Sequence, residues 1–310
     1  MNESENQTQH GSVRLSPDIY RRRQMLVGLA VVAIAMVVIF TIQALGSDSS
    51  GSDSSGVSGG QESAQIETTT NPPTNEVAAA TTITASTTTT LVIKGPPRVS
   101  IYGDSLTAGF GSVLKSILDR EGVTTFLATK GSSGLSQPRF FDWPNHLNVW
   151  VPQENADVVV IGLGANDGQD VYVNDVSYST NDPEWAVEYQ RRVAEVITLV
   201  TSQGRSLVWV GTPDAKAKGF RNNLSILRTA TKNAVEAART TGADVVYIDT
   251  WSLFLGLDGN YSQYVIDPTD GERKKSRDSD GFHLSLAGNK ILAAAINSEI
   301  DAALERRATQ

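Results

Sequence analysis

Apolar positions fall into two unlike patterns along the chain. Residues 25–45 form one uncharged run, apolar apart from Thr41 and Gln43. Its 21 residues match the roughly 20 that a helix needs to cross a bilayer core. Beyond residue 97 the apolar residues come instead as short bursts alternating with stretches of helical period. Residues 98–102, 123–128, 157–164, 206–211 and 244–248 read as strands, the third of them carrying the unbroken run Val158-Val159-Val160-Ile161. Helices are predicted over 106–121 and 222–241. A third follows the cap Asp182 and Pro183, with Ala186, Tyr189, Val193, Val196, Ile197 and Val200 at helical spacing until Gly204. The last runs from the cap Ser285 to about residue 306. Strands that are apolar throughout are buried on both faces, so five strand–helix units predict a five-stranded parallel sheet in a doubly wound, flavodoxin-like α/β sandwich spanning residues 98–310.

The first 97 residues read as an address and a tether. Arg21, Arg22 and Arg23 precede the apolar run and Gly46-Ser47-Asp48 follows it. The positive-inside rule therefore places residues 1–24 in the cytoplasm, 25–45 as a membrane anchor, and the rest outside the cell. The rival is a cleaved signal peptide and a secreted product, but the run exceeds the usual apolar core of such peptides and no small-x-small site follows. Residues 46–97 are Ser/Gly-rich and then Thr-rich, with 11 threonines in the 23 residues 68–90. That composition buries too little to offset ordering entropy and predicts a linker, with a coil reach of about 40 Å.

Composition narrows the chemistry. The 310 residues contain no cysteine, which excludes disulfides, thiolate metal sites and a cysteine nucleophile. Three histidines, His10, His146 and His283, leave little for a multi-imidazole metal site. No cofactor or metal is expected. A formal charge of −8 argues against nucleic acid as a partner, because phosphate neutralisation needs a basic face.

Ligands of open parallel sheets bind beyond the carboxyl ends of the strands. There the chain carries Gly103-Asp104-Ser105-Leu106, then Lys130-Gly131-Ser132-Ser133-Gly134, then Gly164-Ala165-Asn166-Asp167, and before the last helix Asp280-Gly281-Phe282-His283. In this order, with Leu284-Ser285 and Gly288 following the histidine, these blocks resemble the SGNH (GDSL) hydrolase superfamily over the whole head. The resemblance covers none of the first 97 residues. It implies an oxyanion hole built from the backbone N–H groups of Ser105 and Gly134, or Gly131 in its place, with the Asn166 side chain.

The residues support the same chemistry on their own terms. Ser105 opens a helix, where unpaired N–H groups and the positive helix end favour a developing anion. A serine hydroxyl needs a base, His283 is a candidate, and Asp280 three residues earlier is placed to orient it. Competing motifs fail: Gly162-Leu163-Gly164 lacks the third glycine of a dinucleotide fingerprint, and Ser105 lacks the second glycine of a nucleophile elbow. Asp167, Asp170 and Asp175 do not fit a calcium loop and are read as loop solvation. Arg273, Lys274, Lys275 and Arg277 read as a solvated loop or as contacts to an anionic substrate. Trp143 and His146 in the long loop after Gly134, with Trp150 beyond, either wall a pocket or pack on the core.

The expectation is an outward-facing serine esterase acting on small O-acyl, including O-acetyl, groups of an acylated cell-envelope glycan or lipid. An O-acyltransferase would use the same residues with a sugar hydroxyl in place of water. A binding module without activity is the reading from another class.

Overall fold

The computed structural model describes residues 95–309. The expected cytoplasmic segment, the anchor at 25–45 and nearly all of the expected linker lie outside them. Among the described residues no helix is long and apolar enough to cross a membrane.

Five parallel strands form the central sheet: β1 (Arg98–Gly103), β2 (Thr124–Thr129), β3 (Val158–Gly162), β6 (Ser206–Val210) and β7 (Val245–Ile248), in the order β2-β1-β3-β6-β7. Numbered along the sheet's own strands this is 2-1-3-4-5, the flavodoxin-like order, whose direction reverses between β1 and β3. Two antiparallel hairpins lie outside it, β4 (Val171–Val173) with β5 (Val176–Tyr178), and β8 (Tyr264–Ile266) with β9 (Arg273–Lys275).

The unbroken apolar strands are explained by where alternate side chains go. Val158 and Val160 of β3 face a cluster with Phe110, Leu114 and Leu118 of α1 (Ser105–Arg120) and Ile291, Ile296 and Ile300 of α6 (Leu286–Ala308). Val159 and Ile161 face the opposite cluster, with Leu147 of α2 (Trp143–Glu154), Trp185 and Val193 of α3 (Pro183–Thr201), and Leu227 and Ala234 of α4 (Lys218–Thr240). Period-two alternation thus feeds two cores at once, and a polar residue on either face would be buried.

The differences from the sequence reading have local causes. The expected irregular stretch before β3 contains α2: Asp142 caps it by accepting from the Asn145 N–H at 3.1 Å, and Pro144 sits in the first turn, where its missing N–H costs nothing. Helix α4 starts at Lys218, four residues before the expected 222, and its Phe220 packs edge-on against Phe282 at 4.7 Å. Asp182 stands at the cap of α3, but its carboxylate accepts from the N–H and hydroxyl of Ser179 instead of a helix N–H. A short helix α5 (Thr250–Leu253) follows β7.

Candidate active site

Ser105 begins α1 directly beyond β1, and Asn166 follows β3, so both stand at the point where strand order reverses. Asp104 links them. Its carboxylate caps α1 by accepting from the Leu106 N–H at 2.9 Å and reaches across to the Ala165 N–H at 3.1 Å. Asp104 is fully buried, and burial pushes its carboxyl up to about 7, against the pull of those N–H donors. The Ser105 N–H, at the first turn of the helix, has no intrahelical acceptor available.

The loop before α6 brings the histidine to the serine. His283 Nε2 lies 3.0 Å from Ser105 Oγ, and His283 Nδ1 lies 2.6 Å from Asp280 Oδ2. Burial alone would raise the Asp280 carboxyl. N–H donors from Phe282, the His283 ring and the His283 backbone instead hold it below its ordinary value of 3.8. An ionised carboxylate can only accept, so Nδ1 carries a proton, and in the neutral ring that tautomer leaves the Nε2 lone pair facing the Ser105 hydroxyl. Gly281, at φ +76°, permits the tight turn in which Asp280 Oδ1 takes the N–H groups of both Phe282 and His283. Both side chains remain about half exposed, at 41% for His283 and 50% for Asp280, and so are open to solvent.

The second loop is built around Ser133. Its hydroxyl donates to Lys130 O and accepts from Trp143 Nε1 at 2.9 Å, while its carbonyl accepts from Asn166 Nδ2 at 3.0 Å. The two glycines that the sequence left open differ sharply here. Gly131 is exposed with empty space where a Cβ would go. Gly134 is buried, a Cβ on it would land on the Asp167 carboxylate, and its N–H has no acceptor among the described residues.

Several side chains are not where the sequence reading put them. Asp167 is not loop solvation: it is fully buried and accepts from the N–H groups of Leu135 and Ser136 and from the Tyr189 hydroxyl. Arg277 is not a substrate contact either. It is fully buried, donates to Phe282 O at 3.0 Å and lies over the Phe254 and Tyr261 rings; burial pulls its guanidinium down to about 10. Lys274 is paired with Asp270 and Glu272, and Arg273 covers Tyr264. His146 lies on α2, stacked on Phe141 at 4.1 Å with Nδ1 at 2.8 Å from Asp142 O. Of the two readings given for the tryptophans, packing on the core is the one that holds: Trp143 is buried, and Trp150 stacks on Tyr102. Sequence reasoning missed the part played by Asp167 and all of Arg192; the only signal for the first was its place directly after Asn166.

Fold and site together define a doubly wound α/β protein in which Ser105, His283 and Asp280 are hydrogen-bonded in line at the switch point. The chain belongs to the family described as a protein of unknown function (DUF459), whose pattern matches residues 98–299. Among solved structures it is similar to LAE5, an alpha/beta hydrolase enzyme from the metagenome of Lake Arreo, Spain, with 14% identity, 66% of this chain and 94% of that chain covered, and a TM-score of 0.47. It is similar also to a catalytic mutant of Axe2, an acetylxylan esterase from Geobacillus stearothermophilus (18% identity, 67% and 95% covered, TM-score 0.46). A GDSL-like lipase from Bacteroides thetaiotaomicron is a third (14% identity, 66% and 88% covered, TM-score 0.46). No curated protein matches the chain.

Proposed function

We propose that residues 98–310 form a serine esterase of the SGNH type that cleaves small O-acyl esters through an acyl-Ser105 intermediate. The observation that carries this reading is the unbroken relay from Asp280 through His283 to Ser105, at 2.6 and 3.0 Å. Ser105 Oγ attacks the acyl carbon while its proton passes to His283 Nε2. The carbonyl oxygen becomes an oxyanion facing the N–H groups of Ser105 and Gly134 and the Asn166 amide. Collapse expels the alcohol, which takes the proton from His283. Water then attacks the acyl-serine with His283 again as base, releasing the acid and restoring the hydroxyl.

In the same reading residues 25–45 anchor the chain, residues 46–97 tether the head outside the cell, and the ester belongs to an acylated cell-envelope glycan or lipid. The basis is sequence: three arginines on one side of an uncharged apolar run and a polar, Thr-rich stretch on the other.

The test is labelling with a serine-directed phosphonate, followed by turnover of esters of increasing acyl length with and without a sugar acceptor. Labelling should sit on Ser105 and require His283, and short acyl esters should turn over fastest. Wild-type labelling of Ser105→Ala would overturn the assignment. Faster acyl transfer to the sugar than to water would make the protein an acyltransferase.

A further inference from the structure

We propose that Arg192 and Asp167 are positioning residues that grip the segment after Gly134 from opposite sides and thereby set the Gly134 N–H for the oxyanion. The proposal rests on the esterase reading of Ser105. Residues 134–136 belong to neither helix nor strand, so no ladder of backbone bonds holds them. Two side chains do so instead. Asp167 accepts from the Ser136 N–H at 2.7 Å with one oxygen and from the Leu135 N–H at 2.9 Å with the other. Arg192 Nη1 donates to Leu135 O at 2.7 Å and to Ser136 O at 3.0 Å. All four backbone polar groups of these two residues are therefore taken by one carboxylate and one guanidinium.

Each grip is itself fixed from behind. The Tyr189 hydroxyl donates to Asp167 at 2.8 Å; burial and the Asp167 charge push that hydroxyl's pKa up, so it stays a donor. The Tyr189 ring stacks on Trp185 at 5.0 Å. Arg192 Nε is held by Glu188 at 2.7 Å and Nη2 by Tyr172 O at 3.2 Å. Burial would raise Glu188, but Arg191 and Arg192 hold it below its usual range, and it remains a charged anchor. Arg192 and Asp167 are both buried, and neither touches Ser105 or His283 through any hydrogen bond among the described residues. Their effect on chemistry therefore passes through the loop. A planar, five-donor group suits this task, since one nitrogen spans two carbonyls while the others are tied down elsewhere. Preorganised donors stabilise an oxyanion only if they are already aimed before charge develops.

The experiment compares wild type, Arg192→Met and Tyr189→Phe with a short acyl ester, each normalised to Ser105 titrated to completion with the phosphonate. Normalisation removes any loss caused by a smaller folded fraction. Arg192→Met should lower kcat per titrated site about 10²-fold, the scale of an ångström of misplacement, with KM changed less than about threefold because the ground-state carbonyl binds the hole weakly. Tyr189→Phe loses one hydroxyl and keeps its stacked ring, so it serves even if Arg192→Met does not fold; its kcat should fall several-fold at constant KM. A normalised kcat equal to wild type in Tyr189→Phe, and in Arg192→Met where it folds, overturns the clamp while leaving the esterase reading intact. Absence of turnover and labelling in the wild type overturns both.

Discussion

Replacing Asn166 by alanine separates the two jobs that the proposed mechanism gives to one amide. Nδ2 carries two hydrogens. One is spent in the resting protein on Ser133 O at 3.0 Å, and the other is left for the reaction. Losing the first removes a neutral, partly buried hydrogen bond, worth about 1 kcal/mol of stability, or a fall in Tm of about 2–4 °C for a domain of this size. Losing the second removes one oxyanion donor, which lowers kcat about 10²–10³-fold, or about 2.7–4 kcal/mol of transition-state stabilisation. KM should hardly move, because the bond strengthens only as charge develops on the carbonyl oxygen. Steady-state kinetics on a short acyl ester, with thermal unfolding of the same samples, reads both quantities. His146→Ala is the companion variant and should retain turnover, since that ring is occupied by Phe141 and Asp142. A raised KM with unchanged kcat in Asn166→Ala would refute the oxyanion role, and loss of turnover in His146→Ala would refute the choice of base.

Gly134→Ala should abolish turnover, because its Cβ would meet the Asp167 carboxylate, whereas Gly131→Ala should be silent in open space; loss of turnover in Gly131→Ala would instead move the donor to that glycine. Asp280 titrates below 3.8 in the folded state, so its contribution to stability is present above that value and is lost as pH falls through the lower folded one; acid unfolding of wild type and Asp280→Asn should diverge above that window and converge below it. Asp104 has the opposite sign. With a folded value of about 7 against an ordinary 3.8, the folded state holds the extra proton between them, so stability should fall as pH rises across that span, by up to about 1.4 kcal/mol per unit, and Asp104→Asn should flatten the slope in denaturant titrations. Protease added to intact cells should release the head by cutting within residues 46–97, as detected by blotting the medium; a protected head with a digested N-terminus would reverse the proposed orientation.

The strands and the four blocks that the structure brings together beyond them were legible because each leaves a local mark. Val158-Val159-Val160-Ile161 has no polar break, and Ser105, Asn166 and His283 stand beside glycines or caps at element ends. Helix α2 left a weaker mark. Its prolines, Pro144 and Pro152, speak for a loop, and only the cap at Asp142 and the burial of Trp143, Leu147 and Val151 resolve the matter. Arg277 illustrates the opposite error. Three basic neighbours made it look solvated, yet it lies beyond the end of β9, where the chain bridges to Leu284, and its side chain is buried against Phe254 and Tyr261.

Asp167 shows why some of the site could not be read from spacing at all. A charged residue in a Gly-rich loop is usually solvated, and that rule fails only when buried partners donate to both of its oxygens. Here the partners are the N–H groups of Leu135 and Ser136, 32 and 31 residues earlier, and a hydroxyl 22 residues later. Nothing along the chain announces those distances; they arise because β1, β3 and the loop after β2 meet at one end of the sheet. The adjacency of Asn166 and Asp167 then acquires a physical meaning. One side chain holds the carbonyl of Ser133, the next holds the N–H groups of Leu135 and Ser136, and Gly134 lies between these two points of attachment. A single turn after β3 thus fixes the loop on both sides of the glycine whose N–H is left without an acceptor among the described residues. Lengthening that turn by one residue between Asn166 and Asp167 should therefore cost more activity than either single substitution, because it detaches both ends of the glycine's support together; kcat for the insertion no lower than for Asn166→Ala would show that the two attachments act independently of the turn.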